Sequence, residues 1–230
     1  MASPADPFDR RNLLTYTSLL CGVAAVAAAS AGAPNAAAAL GWPAGRAGLA
    51  GLAIAAAVIA DTFDGRFARR FGADPRRCAL GTELDSLADA IAFGLAPPLC
   101  SALLLNVKAD LAGSALWGAI FVHAACAITR LASYNVDATP GGLAPPPASP
   151  KRRSGEGGFV GIPVPLAALI WSTVLLVQPS AAVTTGVILA TAAAMVLPIR
   201  IPRPTGAALA IFALWPLAVG LCHLAFAIRH

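Results

Sequence analysis

Aspartates break into two of this chain's apolar runs, and that pattern constrains the fold more than any other feature. The run LAGLAIAAAVIA ends at Asp61, and Asp89 opens the run AIAFGLAPPLC. Such runs suit a bilayer, where only helices and closed barrels satisfy every backbone polar group internally. A carboxylate at membrane depth is costly, so it faces the bundle interior or a wet cavity and marks function. Composition agrees: 58% of residues are hydrophobic and only 12% charged, with a mean hydropathy of +0.74. Soluble domains carry about 25% charged residues, so the sequence reads as a polytopic, all-α integral membrane protein.

Seven apolar segments are candidate spans: residues 13–33, 45–70, 82–106, 111–135, 161–177, 181–197 and 206–228. A span needs about 20 apolar residues, so the fifth and sixth are short and must tilt or sit behind other helices. Pro97 and Pro98 are expected to kink the third. The organisation expected is a cytoplasmic segment at 1–12, then one transmembrane catalytic domain at 13–230. The first apolar run reads as a first transmembrane helix and not as a removable signal. A basic loop, RRFGADPRR, follows the second span, with turn chemistry at Gly72 and Asp74-Pro75. The Pro, Gly and Ser-rich stretch at about 137–158 reads as a flexible cytoplasmic loop. With the N-terminus inside, only Arg46, Lys108 and Arg229 of the 16 Lys and Arg fall outside. That bias satisfies the positive-inside rule. The net charge of +5 then reflects topology and anionic lipid contact, with no case for nucleic acid.

Asp61 and Asp64 are three residues apart, and Asp85 and Asp89 four apart, so each pair shares one helical face. Like charges held that close in a poorly hydrated place either take up protons or share a cation. Oxygen-only ligands favour a hard ion such as Mg2+, Mn2+ or Ca2+. The five cysteines form no CxxC pair and no metal spacing, and most read as small core residues. His123 reads as a satisfied core histidine, Lys151-Arg152-Arg153 as a lipid-facing cluster, and the four tryptophans as interface or packing residues.

The frame D-x2-D-G-x2-A-R-x11-G-x3-D-x3-D is filled by Asp61, Asp64, Gly65, Ala68, Arg69, Gly81, Asp85 and Asp89. It resembles the signature of the CDP-alcohol phosphotransferase family of membrane enzymes. The resemblance implies a bundle of six to seven transmembrane helices with a metal and nucleotide cavity at the cytoplasmic side, since the family's shared core has six. It implies that Asp61, Asp64 and Asp85 bind divalent cations (Mg2+ or Mn2+, two per site), and that Asp89 is the general base and touches a metal as well. Gly65 and Gly81 then allow close approach of nucleotide and backbone, Ala68 keeps that face small, and Arg69 can fork onto phosphate oxygens. It also implies a homodimer.

Flanking text narrows the branch. ELDSLADAIAFGLAP, RLASYNV, FVGIPVP and, more weakly, NLLTYTSLLCG resemble the phosphatidylserine synthases of this family. That implies CDP-diacylglycerol as donor and L-serine as acceptor. Arg130 and Asn135, in the stretch resembling RLARFNV, are the acceptor-site candidates; Ser133 stands where that branch has arginine, and Arg11 where it has a proline. Other acceptors (glycerol phosphate, inositol phosphate, choline) fit the same chemistry. A divalent-cation carrier is the reading from another class, but a carrier has no reason for Gly65, Ala68 and Arg69 at fixed offsets.

The orientation has a direct check. In a background without the native cysteines, Pro147→Cys is expected to resist an impermeant thiol reagent in intact cells and to react after permeabilisation. Labelling from outside would reverse the topology.

Overall fold

Asp9 starts the first helical turn. Its carboxylate accepts the Arg11 backbone N–H at 3.3 Å, and the short turn Arg10–Asn12 leads into α1 (Leu13–Ser30). The computed structural model describes residues 9–31, 45–68, 70–71, 75–105, 110–138, 159–198, 200–201 and 207–229. Within them follow α2 (Arg46–Ala68), α3 (Pro75–Leu105), α4 (Leu111–Ala138), α5 (Val164–Leu175), α6 (Ala181–Val196) and α7 (Ala207–Arg229). Rods α1 to α4 are long and apolar enough to cross a membrane, while α5, α6 and the Leu214–Ile228 part of α7 are shorter apolar helices. The protein is an all-helical integral membrane protein, apart from the two-residue strands β1 (Phe159–Val160) and β2 (Arg200–Ile201). These pair antiparallel.

Small residues let the rods approach closely, as packing in lipid favours. A Cβ on Gly22 of α1 would lie 2.7 Å from the Ala92 Cα of α3. One on Gly94 of α3 would lie 2.9 Å from the Ala127 Cβ of α4. Ala25, Ala29, Ile54, Val58, Phe93, Ala127 and Leu169 are among the residues of the shared core.

α3 begins at Pro75, earlier than the expected 82. Proline suits a first helical position, where its missing N–H is no loss. The expected kink at Pro97-Pro98 takes another form. A wide π turn, Ala90–Leu95, precedes the prolines, and the Ala96 N–H bonds to Ile91 O. An α-helical Pro98 would leave Gly94 O without its donor. His123 of α4 supplies one, with Nδ1 at 3.0 Å from Gly94 O. His123 is buried, so the satisfied-core reading of this residue holds. The extra residue of a π turn shifts helical phase by about 100°. Ala88 and Asp89 before the π turn, and Ala96, Pro97 and Pro98 after it, thereby all face inward.

α4 runs to Ala138, so residues 137–138 of the expected loop are helical, and 139–158 lie outside the described residues. The basic cluster Lys151-Arg152-Arg153, Trp42 and the Gly72 and Asp74 turn positions lie outside them too. All five cysteines are free. Of the described tryptophans, Trp171 is buried and donates to Ser101 Oγ at 2.6 Å, Trp215 donates to Thr173 Oγ1 at 3.1 Å, and Trp117 is exposed.

Candidate metal centre and active site

The C-terminal part of α2 carries Asp61 and Asp64, and the N-terminal half of α3 carries Asp85 and Asp89. Helical periodicity places each pair on one face, and the packing of α1, α2 and α3 turns both faces toward one another. Asp61, Asp85 and Asp89 each bring a carboxylate oxygen within 4.8 Å of the others. Asp64 stands beside this triad, and its charge acts on Asp61 and Asp85. Asp64 and Asp89 are each 8% exposed.

Asp64 has two unlike oxygens. Oδ2 accepts the Thr15 hydroxyl at 2.6 Å. Oδ1 is buried and has no hydrogen-bond partner among the described residues. A buried carboxylate oxygen left bare is costly unless something cationic takes it up. Hard divalent ions bind oxygens at about 2.0–2.6 Å, so oxygens on opposite sides of one ion lie about 4–5 Å apart. The spread of the triad matches that separation, so the residues fit a metal of this class.

The other sequence candidates are placed as follows. Arg130 of α4 is partly buried, and its charge acts on Asp89. Among the described residues no ion pair joins the two, and the Arg130 Nε is buried without a partner. Asn135 lies within α4, near its end. Its side-chain amide donates to Ser86 Oγ at 2.9 Å, which ties α4 to α3 one residue from Asp85. Gly65 is exposed and Ala68 half-buried on the last turn of α2. Arg69 lies outside the described residues. Gly81 faces the start of α1, where an added Cβ would lie 3.3 Å from Asn12 Oδ1. That start is held on α3 by Arg11 Nη1 to Cys78 Sγ at 3.2 Å and by Arg77 to Asp9 at 3.3 Å.

Sequence reasoning missed Thr15 and Ser86. A signal for Thr15 was present. Asn12, Thr15 and Ser18 recur every three residues, and the last two lie inside an apolar run. All three are buried, as a polar stripe on a membrane helix should be when it faces the bundle interior.

With this geometry in hand, the comparisons with known proteins are decisive for the family. The profile of the CDP-alcohol phosphatidyltransferases matches residues 11–199. The chain belongs to the CDP-alcohol phosphatidyltransferase family. It is 44% identical over 82 residues to a CDP-diacylglycerol–serine O-phosphatidyltransferase of Mycobacterium tuberculosis, covering 36% of this chain and 26% of that protein. A Helicobacter pylori protein of the same name is 32% identical over 117 residues, covering 51% of this chain and 41% of the relative. The matched stretches thus span 26% and 41% of the length of these curated relatives.

The centre has a binding test that needs no turnover. Titrated with Mn2+ in detergent and followed by electron paramagnetic resonance, Asp85→Asn is expected to weaken binding more than about tenfold, the equivalent of about 1.4 kcal/mol. Unchanged binding would remove the triad as the metal centre.

Proposed function

We propose that this family member transfers the phosphatidyl group of CDP-diacylglycerol to the hydroxyl of L-serine and releases CMP. The observation that carries the reading is the Asp61, Asp85 and Asp89 triad within 4.8 Å, set in the family's eight-residue frame. The relatives' names and the resembling flanking stretches support serine as acceptor.

The residues divide the work by position. Asp61, Asp64 and Asp85 hold one or two divalent cations, Mg2+ or Mn2+. When bound, the metal neutralises the diphosphate and stabilises charge as the anhydride bond breaks. Asp89 takes the proton of the serine hydroxyl as its oxygen bonds to the phosphorus bearing the diacylglycerol. The bond from that phosphorus to the bridging oxygen breaks, and CMP leaves with the electron pair. Arg130, the described cation whose charge reaches Asp89, holds the serine carboxylate beside the base. Gly65, Ala68 and Gly81 keep the nucleotide's approach open, and Arg69 binds phosphate. In this reading the seven rods form six to seven spans, the carboxylates open to the cytoplasm, and the protein is a homodimer in a bacterial or archaeal cell membrane. The basic-residue bias supports the orientation, and the family resemblance supports the dimer.

A second reading keeps the chemistry and changes the alcohol to glycerol phosphate, inositol phosphate or choline. Ser133, in place of the branch's arginine, is what favours it. Ser133 is exposed and donates to Thr129 O at 2.8 Å, so Arg130 remains as the charge at Asp89 and serine stays the first choice.

The assay is metal-dependent release of CMP from CDP-diacylglycerol with each alcohol in turn, and serine is expected to support the fastest release. A lost charge-assisted hydrogen bond costs about 1.5–3 kcal/mol. Arg130→Ala should therefore raise the KM for serine roughly ten- to a hundredfold and that for the donor little. Wild-type protein that ignores serine and accepts another alcohol would overturn the acceptor but not the family chemistry.

Asp89→Asn separates base from ligand. Turnover should fall to background while CDP-diacylglycerol binding, measured by isothermal titration, stays within about threefold of wild type, because the base acts on the acceptor in the chemical step. If donor binding is lost as well, Asp89 is chiefly a metal ligand.

A further inference from the structure

Threonines in membrane helices have a default partner: the carbonyl four residues back in their own helix. Thr17 donates to Leu13 O, Thr62 to Val58 O, Thr173 to Leu169 O and Thr185 to Ala181 O, all at 2.7–2.8 Å. Thr15 departs from this habit. Its hydroxyl crosses from α1 to α2 and donates to Asp64 Oδ2 at 2.6 Å. Thr15 is 3% exposed and Asp64 8%, so no bulk water competes for either end of the bond.

The bond makes the two Asp64 oxygens unequal. A donor on Oδ2 restrains the carboxylate's rotation and takes up one of that oxygen's two lone pairs, which disfavours a chelating, two-oxygen grip on a cation. Oδ1 is left bare, buried and without a partner among the described residues. Large Ca2+ accepts two-oxygen carboxylate ligands and 6–8 oxygens in flexible geometry. The smaller octahedral ions take carboxylates one oxygen at a time in a tight shell. A carboxylate pinned through one oxygen therefore suits the smaller ion.

We propose that Thr15 is a positioning residue that makes Asp64 a one-oxygen ligand, and so biases the centre toward small octahedral cations such as Mn2+ and Mg2+ over Ca2+. The proposal rests on the reading that these carboxylates hold a divalent metal, and it adds which atom binds and what selects the ion. Thr15 touches no substrate; it acts through Asp64.

The test is the ratio of two affinities, not activity. Full-length protein in detergent is titrated with Mn2+ by electron paramagnetic resonance, and Ca2+ is measured by competition against it. Partners that orient metal ligands typically account for 10–100-fold in affinity. Thr15→Val, close to isosteric, should weaken Mn2+ about tenfold or more and Ca2+ far less, so the Mn2+ preference narrows. Thr15→Ser, which restores the hydroxyl, should return the preference to within about threefold of wild type. Ser18→Ala, one turn along the same buried face, should leave the ratio unchanged and reports on packing alone. Equal weakening of both ions in Thr15→Val, or the same loss in Ser18→Ala, would mean that α1 only packs and would overturn the proposal. Wild-type protein that binds neither ion would overturn the metal reading itself, which is a distinguishable failure.

Discussion

Mutual repulsion of carboxylates at the meeting of α2 and α3 is the constraint on which the rest depends. Two unit charges about 4.8 Å apart repel by on the order of 3 kcal/mol at an effective dielectric of about 20. Three such pairs approach the whole net stability of a typical domain, about 5–15 kcal/mol. No fold places these groups together without something to offset the repulsion. The described surroundings supply one hydroxyl, Thr15, and one guanidinium not joined to them in an ion pair, Arg130. That is too little for four charged acids, so they either take up protons or share a cation, and the proposed function takes the second course.

The scaffold around the acids holds them in place. α1 packs along α2, which brings Thr15 to Asp64, and it lies close on α3 through Gly22 and Ala92. α3 widens into a π turn immediately after Asp89, and this turn keeps both the acid and the proline-rich half of the helix facing inward. Wide turns of this kind recur at functional sites. The carbonyl left over at Gly94 is met by His123 from α4. The helix that carries the acceptor candidate Arg130 thus also repairs the backbone beyond Asp89.

What was legible in the sequence was local. The spacings of Asp61 with Asp64 and of Asp85 with Asp89 define helical faces by themselves, and the apolar runs define the rods to within a few residues. What was not legible depends on partners distant in the chain. Nothing near Thr15 says that its hydroxyl abandons Arg11 O for Asp64, 49 residues on. The helix of α3 starts at Pro75, ahead of the apolar span at 82, because charged Arg76, Arg77 and Glu83 hide its first turns from a hydropathy reading. The π turn follows from Pro97-Pro98 only together with His123, a residue of another helix. The bond from Asn135 to Ser86, a residue of another helix, is likewise invisible in the stretch around Asn135.

The contact of Asn135 with Ser86 also bears on where Arg130 stands. Ser86 with Asn135 and Gly94 with His123 are two cross-links between α3 and α4. As residue number rises on one helix it falls on the other, so the pair runs antiparallel. Asp89 lies between the two cross-links on α3, and Arg130 lies between them on α4. Arg130 is five residues from the Asn135 link and Asp89 three residues from the Ser86 link, so at about 1.5 Å per residue the two stand within about 3 Å of one level along the pair. The Asn135 clamp thus helps set the register that holds Arg130 near the level of Asp89, where its charge acts.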